Sequence, residues 1–421
     1  MSEQRTSGKA VLVGFVKKSA ELSACESSLD ELARLLDTAG GEAFARVIQI
    51  KPSVDPATVI GSGKVEEIKA LCEANDITLA VFDMELSPSQ IRNLEEGLGN
   101  VLVLDRSMLI LDIFALHATS GEGKLQIELA QLRYTAPRLT GRGKELSRLG
   151  GTIGTRGPGE SKLEEDRRHI RHRISALEEQ LAEMEKNRET MRAARARSGI
   201  PKVAIVGYTN AGKSTLLNLL TDAGVLSEDK LFATLDPTTR RLTLPEGEEI
   251  LLTDTVGFIR KLPHHLVKAF HSTLEEAALA DILLIVVDYS DPERDEQLAV
   301  TYETLRELGA EGKPTLIVYN KCDAIDENID LGVLEREDTV CFSAKTAMGR
   351  ERLFERLLAY VRNGKKKCLL RLPYDNSGAV NGIYRVGTVE SIEYLPDAIE
   401  LTAVLDAKGI GMYRAYIEKE G

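Results

Sequence analysis

Apolar and polar positions follow two different rhythms along this chain. Through residues 8–106, short apolar runs alternate with stretches whose apolar positions fall three and four apart. "KAVLVGFV", "FARVIQI", "ITLAVFD" and "VLVLD" read as strands. "LDELARLLDTAG", "KVEEIKALCEAND" and "SPSQIRNLEEGLG" read as helices, the last opened by an N-cap serine and a proline. This alternation predicts a small parallel α/β domain over 1–106. Residues 107–197 change rhythm. Leu125, Leu129 and Leu132 share one helix face, and Ile170, Ile174, Leu177, Leu181, Met184 and Met191 form a heptad-like seam among charges. Two such helices predict a long antiparallel hairpin. Residues 198–363 return to strand–helix alternation. Residues 364–421 open with the basic run "KKKCLLR", and the β-like segments "GIYRVGTVESIEYL" and "AIELTAVLD" then predict a small α+β domain. No internal repeat is present.

Composition narrows the class. The 421 residues are 43% apolar and 29% charged, as in soluble globular proteins. The longest apolar run, "ILLIVV" from Ile282, has the length of a buried strand and falls far short of the roughly 18 residues of a membrane span. The start, "MSEQRTSGKA", lacks the apolar core of a signal peptide. Five cysteines without a CxxC pair argue against a zinc site or disulfide framework and for thiols in a reducing cytoplasm. A net charge of -12 argues against general nucleic-acid binding, DNA included. The charge is uneven, however. The connection "RLTGRGKELSRLGGTIGTRGPGESK" carries Arg138, Arg142, Lys144, Arg148, Arg156 and Lys162 against Glu145 and Glu160. A long, glycine-rich, basic loop suits contact with phosphates; a solvated tip is the alternative.

Candidate chemistry concentrates after residue 200. In "KVAIVGYTNAGKSTLLNLL" an apolar strand, a glycine-rich turn and an apolar helix follow one another. Gly207, Gly212, Lys213 and Ser214 complete a phosphate-loop pattern. The turn through Tyr208, Thr209, Asn210, Ala211 and Thr215 is expected to aim backbone N–H groups at phosphates, with the helix dipole behind them. Lys213 is expected to reach the β- and γ-phosphates and Ser214 to ligate magnesium. An earlier "GSGK" at Gly61–Lys64 lacks this pattern, with Thr58 and Val65 in the required positions, and reads as a helix-opening turn.

Three later stretches choose the base. "EEILLTDTVG" ends in Asp254, Thr255, Val256 and Gly257; Asp254 is placed to hold a magnesium-bound water and Gly257 to offer its N–H to the γ-phosphate. "PTLIVYNKCD" ends in Asn320, Lys321, Cys322 and Asp323, whose carboxylate can accept two hydrogen bonds that guanine donates and adenine does not. "TVCFSAK" ends in Ser343, Ala344 and Lys345, a clamp for the guanine oxygen. In this order, each after a strand, the set indicates a P-loop GTPase. The first switch lies between Asp222 and Arg240; Phe232, Ala233, Thr234, Leu235 and Asp236 are candidate contacts, and Thr234, Thr238 and Thr239 are candidate magnesium threonines. After Gly257 many GTPases carry a glutamine that orients water. Here Phe258 stands instead, which predicts slow intrinsic turnover and a water placed by rearranged switches or by a partner.

These motifs, with "GEGKLQIELAQLRYTAPRL", "GTIGTRGPGESKLEEDRRHI", "LFATLDPTTR", "DTVGFI", "NKCD" and "SAK", resemble those of HflX, in the Obg–HflX group of translation-associated GTPases, over essentially the whole chain. The resemblance implies the four-part architecture, GTP/GDP and Mg2+ as ligands, and binding to the ribosome, chiefly the 50S subunit. It implies that the glycine-rich loop reaches rRNA near the peptidyl-transferase centre, and that stalled or idle ribosomes are split under stress, with hydrolysis resetting the factor. Thr234 matches the family's magnesium threonine. Asn210 matches an asparagine that helps some bacterial GTPases bind K+. A monomer is expected. The alternative reading is an assembly or RNA-remodelling GTPase of the large subunit. A weaker one, regulation of a membrane protease with peripheral membrane association, rests on the family's history alone.

Overall fold

The computed structural model of the protein describes residues 8–141, 158–196, 199–221, 231–232, 235–261, 271–324, 336–362, 366–374, 378–405 and 407–420. The first domain is built from β1 (Lys9–Val16), α1 (Leu22–Thr38), β2 (Glu42–Ile50), α2 (Ser62–Asn75), β3 (Leu79–Phe82), α3 (Pro88–Leu98), β4 (Leu102–Asp105) and α4 (Arg106–His117). Its sheet runs β2-β1-β3-β4, parallel throughout. α2 opens at Ser62 with Gly61 as its N-cap, so the "GSGK" turn starts a helix. α3 starts at a full capping box between Ser87 and Gln90.

The boundary expected at 106/107 falls at the start of α4. Leu109, Ile110, Leu111, Ile113 and Phe114 are fully buried in one core with Leu12, Leu29, Leu32 and Leu36. The helix is apolar nearly all round, which marks a buried core helix rather than a solvated arm.

The arm comprises α5 (Gly121–Thr135) and α6 (Pro158–Ala196). They run antiparallel: Glu122 pairs with Arg188 at 2.9 Å, and Arg133 pairs with Glu178 at 2.6 Å. α5 has two apolar faces. Ile127, Ala130 and Tyr134 enter the first domain's core, while the Leu125, Leu129 and Leu132 face lies on the other side, where α6 packs. In α6 the seam holds at Ile170, Ile174, Leu177, Leu181 and Met184, the less exposed positions, with Leu177 fully buried. The side chain of Met191 and residues 142–157 of the basic connection lie outside the described residues.

The third domain has β5 (Lys202–Gly207), α7 (Lys213–Thr221), β6 (Thr238–Thr243), β7 (Glu249–Asp254), α8 (His271–Leu279), β8 (Ile282–Asp288), α9 (Arg294–Glu307), β9 (Thr315–Asn320), β10 (Thr339–Cys341) and α10 (Arg350–Arg362). The six strands are ordered β10-β9-β8-β5-β7-β6, and only β6 is antiparallel to its neighbour. β8 shows why its sequence is apolar without alternation. Ile282, Leu284 and Val286 enter the core beneath α7 and α10, whereas Leu283, Ile285 and Val287 enter the opposite one. That opposite core is continuous with the core of the first domain and α5.

The last domain is β11 (Lys366–Leu372), α11 (Gly378–Val386), β12 (Gly387–Tyr394), β13 (Ile399–Leu405), α12 (Ala407–Tyr413) and β14 (Ile417–Glu420). Its antiparallel order β12-β13-β11-β14 in a βαββαβ chain is the ferredoxin-like arrangement. "GIYRV", expected to be extended, is the last turn of α11; Ala379, Val380, Ile383 and Val386 fall at helical spacing against the sheet.

Candidate active site

β5 delivers the chain to Gly207, and α7 begins at Lys213, so the glycine-rich turn spans the carboxyl edge of the parallel sheet. Such edges are where open α/β sheets bind ligands. At Gly212 the backbone has φ of +92°, and a Cβ would overlap the Asn320 side-chain amide. Only glycine fits this position. The Lys213 Nζ donates to the Tyr208 carbonyl at 2.7 Å. Burial pushes its pKa down to about 8, with the Asp254 carboxylate pulling the other way. Ser214 Oγ donates to Asp254 Oδ2 at 2.6 Å, which joins the helix start to the end of β7.

The stretch that follows Asp254 is fastened to the phosphate loop. Thr255 Oγ1 donates to the Ile205 carbonyl at 2.7 Å, and Val256 is buried. A Cβ on Gly257 would lie 2.8 Å from Thr209 Cα and 2.9 Å from Lys213 Nζ, so this glycine backs directly onto the loop. The Phe258 N–H donates to the Gly207 carbonyl at 3.0 Å, and its carbonyl accepts from the Thr209 N–H at 2.8 Å. The Phe258 ring is 1% exposed within the shared core. Among the described residues Thr209 Oγ1 is buried and has no protein partner, an arrangement that costs about 1–3 kcal/mol.

At the base-recognising end, Asn320 Nδ2 donates to the Ala211 carbonyl at 2.8 Å, and its Oδ1 accepts from the Ala344 N–H at 2.9 Å. One amide thus joins the phosphate loop to the loop after β10. Lys321 sits at φ 63° with its ammonium 2.6 Å from Asp288. Ser343 Oγ donates to Asp323 Oδ1 at 2.6 Å and holds that carboxylate in place. Cys322 is buried, its thiol donating to the Tyr319 carbonyl, and Lys345 is exposed.

The site has a second wall, built by the first domain. Tyr208 OH donates to Glu31 Oε1 at 2.7 Å and accepts from the Arg260 N–H at 2.8 Å. Arg106 lies between Glu31 and Asp83, at 2.9 and 2.7 Å, and also donates to the Arg260 carbonyl at 3.1 Å. Lys261 reaches Asp83 at 2.5 Å. Burial would lower the Arg106 pKa, but the two carboxylates outweigh it and hold it up. Burial and the Glu31 charge both push the Tyr208 pKa up.

The first switch joins the same wall. Phe232 packs edge-on against Phe114 at 4.6 Å between ring centroids, and Leu235 is buried in the shared core. Asp236 accepts from the backbone N–H groups of Thr119 and Ser120 and from both hydroxyls. Ser120 is the N-cap of α5, and its oxygen also accepts from the Gly123 N–H. The side chains of Phe232, Leu235 and Asp236, expected to contact nucleotide, are therefore committed to the first domain and the arm. Thr239 bonds Thr253 within the sheet, and Thr238 opens β6. Ala233 and Thr234 lie outside the described residues.

Glu31, Asp83, Arg106 and Ser120 were not picked out from sequence. Ser120 carries a local N-cap signal, but its partner lies 116 residues away. The other three are charged residues whose one sign of burial is an apolar neighbourhood on each side.

A sheet of this order, a phosphate loop after its first strand and an Asn-Lys-x-Asp loop tied to it by Asn320 define a P-loop GTPase. Residues 202–321 match the family profile of the 50S ribosome-binding GTPases, residues 26–115 that of the GTP-binding GTPase N-terminal region, and residues 117–195 that of the GTP-binding GTPase middle region. The chain is 52% identical over 383 residues to GTPase HflX of Lacrimispora saccharolytica, covering 91% of this chain and 90% of the relative. It is 42% identical over 365 residues to GTPase HflX of Escherichia coli, covering 86% and 85%. The chain belongs to the HflX family and is a GTP hydrolase. It is also similar to a solved GDP complex of the GTP-binding protein SsGBP, with 29% identity, a TM-score of 0.48, and coverage of 85% of this chain and 99% of that one. Among the described residues, no helix is long and apolar enough to cross a membrane.

Proposed function

We propose that this chain is a GTP-switched factor of the large ribosomal subunit, which splits stalled or idle ribosomes under stress. The observation that carries this reading is the wall shared by both switches and the arm. Asp236 of the first switch holds the cap of α5, while Arg260 and Lys261, after the second, bond the first domain. A change at the γ-phosphate would reach the arm through these contacts. The basic, glycine-rich connection at the arm's tip has the charge to meet rRNA.

On this reading Lys213, the loop backbone, Asp254 and Gly257 address the phosphates, and Asp323 reads guanine. Tyr208 to Thr215, Thr255, Val256, Asn320 to Cys322 and Ser343 to Lys345 complete the cradle. Hard oxygen donors suit Mg2+; Ser214 and Thr234 would hold it, with Asp254 behind a bound water. The Ser214–Asp254 hydrogen bond supports this, because it brings two of those residues together. The ion neutralises charge on the phosphates when bound. Asn210, left-handed at φ 61°, is the candidate K+ residue. Faster hydrolysis in K+ than in Na+, abolished by Asn210→Ala, tests that part, and equal rates in both salts refute it.

The main test deletes residues 141–159 and measures GTP turnover with and without purified 50S subunits. Intrinsic turnover is expected to persist while 50S binding and stimulation are lost. Undiminished 50S binding would overturn the reading.

A further inference from the structure

Phe258 leaves the γ-phosphate end of this site without the side-chain amide that orients water in many GTPases, and its ring is sealed in the core. A buried polar group without a partner stands on the phosphate loop opposite it. Thr209 is 7% exposed, and its hydroxyl is a buried polar atom without a partner among the described residues. Its backbone N–H is fixed on the Phe258 carbonyl at 2.8 Å, which sets the orientation of the side chain. Its methyl lies against Gly257, and Lys213 Nζ lies against the same glycine; a Cβ there would be 2.8 Å from the first and 2.9 Å from the second. The side chain is therefore a neighbour of the lysine that addresses the γ-phosphate, and its remaining branch is the hydroxyl.

We propose that the Thr209 hydroxyl donates a hydrogen bond to a γ-phosphate oxygen of GTP and is a catalytic residue of hydrolysis. In the reaction, the water oxygen bonds to the γ-phosphorus and the bond from phosphorus to the bridging oxygen breaks. GDP leaves with that electron pair, and the water's proton ends on the phosphate product. Thr209 keeps its own proton. Its contribution is a hydrogen-bond donor to the charge on the transferring group, reached once the bound nucleotide opens the contact between Gly257 and the loop. The orphaned hydroxyl thereby acquires its partner only when a nucleoside triphosphate is bound.

The proposal rests on GTP hydrolysis by the free chain and not on the ribosomal reading, so a failure of one leaves the other standing. Thr209→Val keeps the shape and removes the donor; Thr209→Ser keeps the donor and removes the methyl. Full-length proteins are compared by single-turnover GTP hydrolysis without ribosomes, and by affinity for fluorescent GDP and for a non-hydrolysable GTP analogue. The valine variant is expected to hydrolyse at least about tenfold more slowly and to lose affinity for the analogue, with GDP affinity kept. The serine variant is expected to restore both. Wild-type hydrolysis by the valine variant overturns the proposal. So does a loss that falls equally on GDP and the analogue, or one that serine does not restore, because either reports a distorted loop rather than a missing donor.

Discussion

Phe258 shows how one residue can hold two structures together. Its backbone makes a short parallel bridge to Tyr208, while its ring is buried in a core shared by two domains. Replacing it with glutamine puts an amide where a ring was packed. We expect Phe258→Gln to destabilise the protein by about 3 kcal/mol and to leave free turnover no faster than wild type, as chemical denaturation and phosphate release would show. A fast free variant would contradict the view that water placement waits on something beyond this side chain. Two tyrosines make a separate test. Burial and a carboxylate neighbour raise the pKa of both Tyr134, beside Asp105, and Tyr208, beside Glu31. Folded values above the unfolded value of about 10 mean that the stability they add is present below that pH and lost as pH rises beyond it. Of the 11 tyrosines, these two are expected to ionise only as the fold opens, followed by phenolate absorbance against circular dichroism. Ionisation of both in the still-folded protein would refute this.

Among the elements, the start of α5 is the one whose behaviour depends most on a distant residue. A helix N-terminus presents unpaired N–H groups and positive potential, and a carboxylate there is favourable. Asp236 supplies it from the first switch, held below the usual carboxylate range because the Ser120 and Thr119 donors outweigh its burial. A Cβ at Gly123 would lie 2.8 Å from Asp236 Oδ1, so this contact also fixes a glycine in the helix's first turn. Asp236→Ala is expected to raise amide exchange across residues 119–124 while leaving α3 unchanged; no change at 119–124 would show that the cap stands by itself.

This junction also explains where sequence reading stops. Strands, the hairpin seam and the phosphate loop are local patterns, and each was legible as such. α4 was harder to place, because a helix that is apolar nearly all round has no single face that marks its partner. The last turn of α11 was misread because valine, tyrosine and isoleucine favour strands until a sheet offers them a helical packing site. The nucleotide loops could be found by spacing, whereas the contacts of Phe232 and Asp236 with the first domain and α5 could not be read, because their partners Phe114 and Ser120 are separated from them by more than a hundred residues.

For the whole molecule, the decisive fact is that one apolar core crosses from the first domain and α5 into one face of the GTPase sheet. The domains are therefore not beads on a linker: the arm's first helix and one face of the nucleotide-binding sheet share packed side chains. Shortening the arm tests whether its length matters apart from its attachment. Excising one heptad from the loop end of α6, before Ile170, is expected to preserve free GTP turnover and, on the proposed function, to abolish stimulation by 50S subunits. Full stimulation of the shortened protein would show that reach is irrelevant.

The 39 residues of α6 give that arm a further property. A helix of this size measures about 58 Å, so a tilt of about 5° at its base carries the far end about 5 Å. On the proposed function the helix would act as a lever, and its mechanical advantage would be set by the length that extends beyond its pairing with α5.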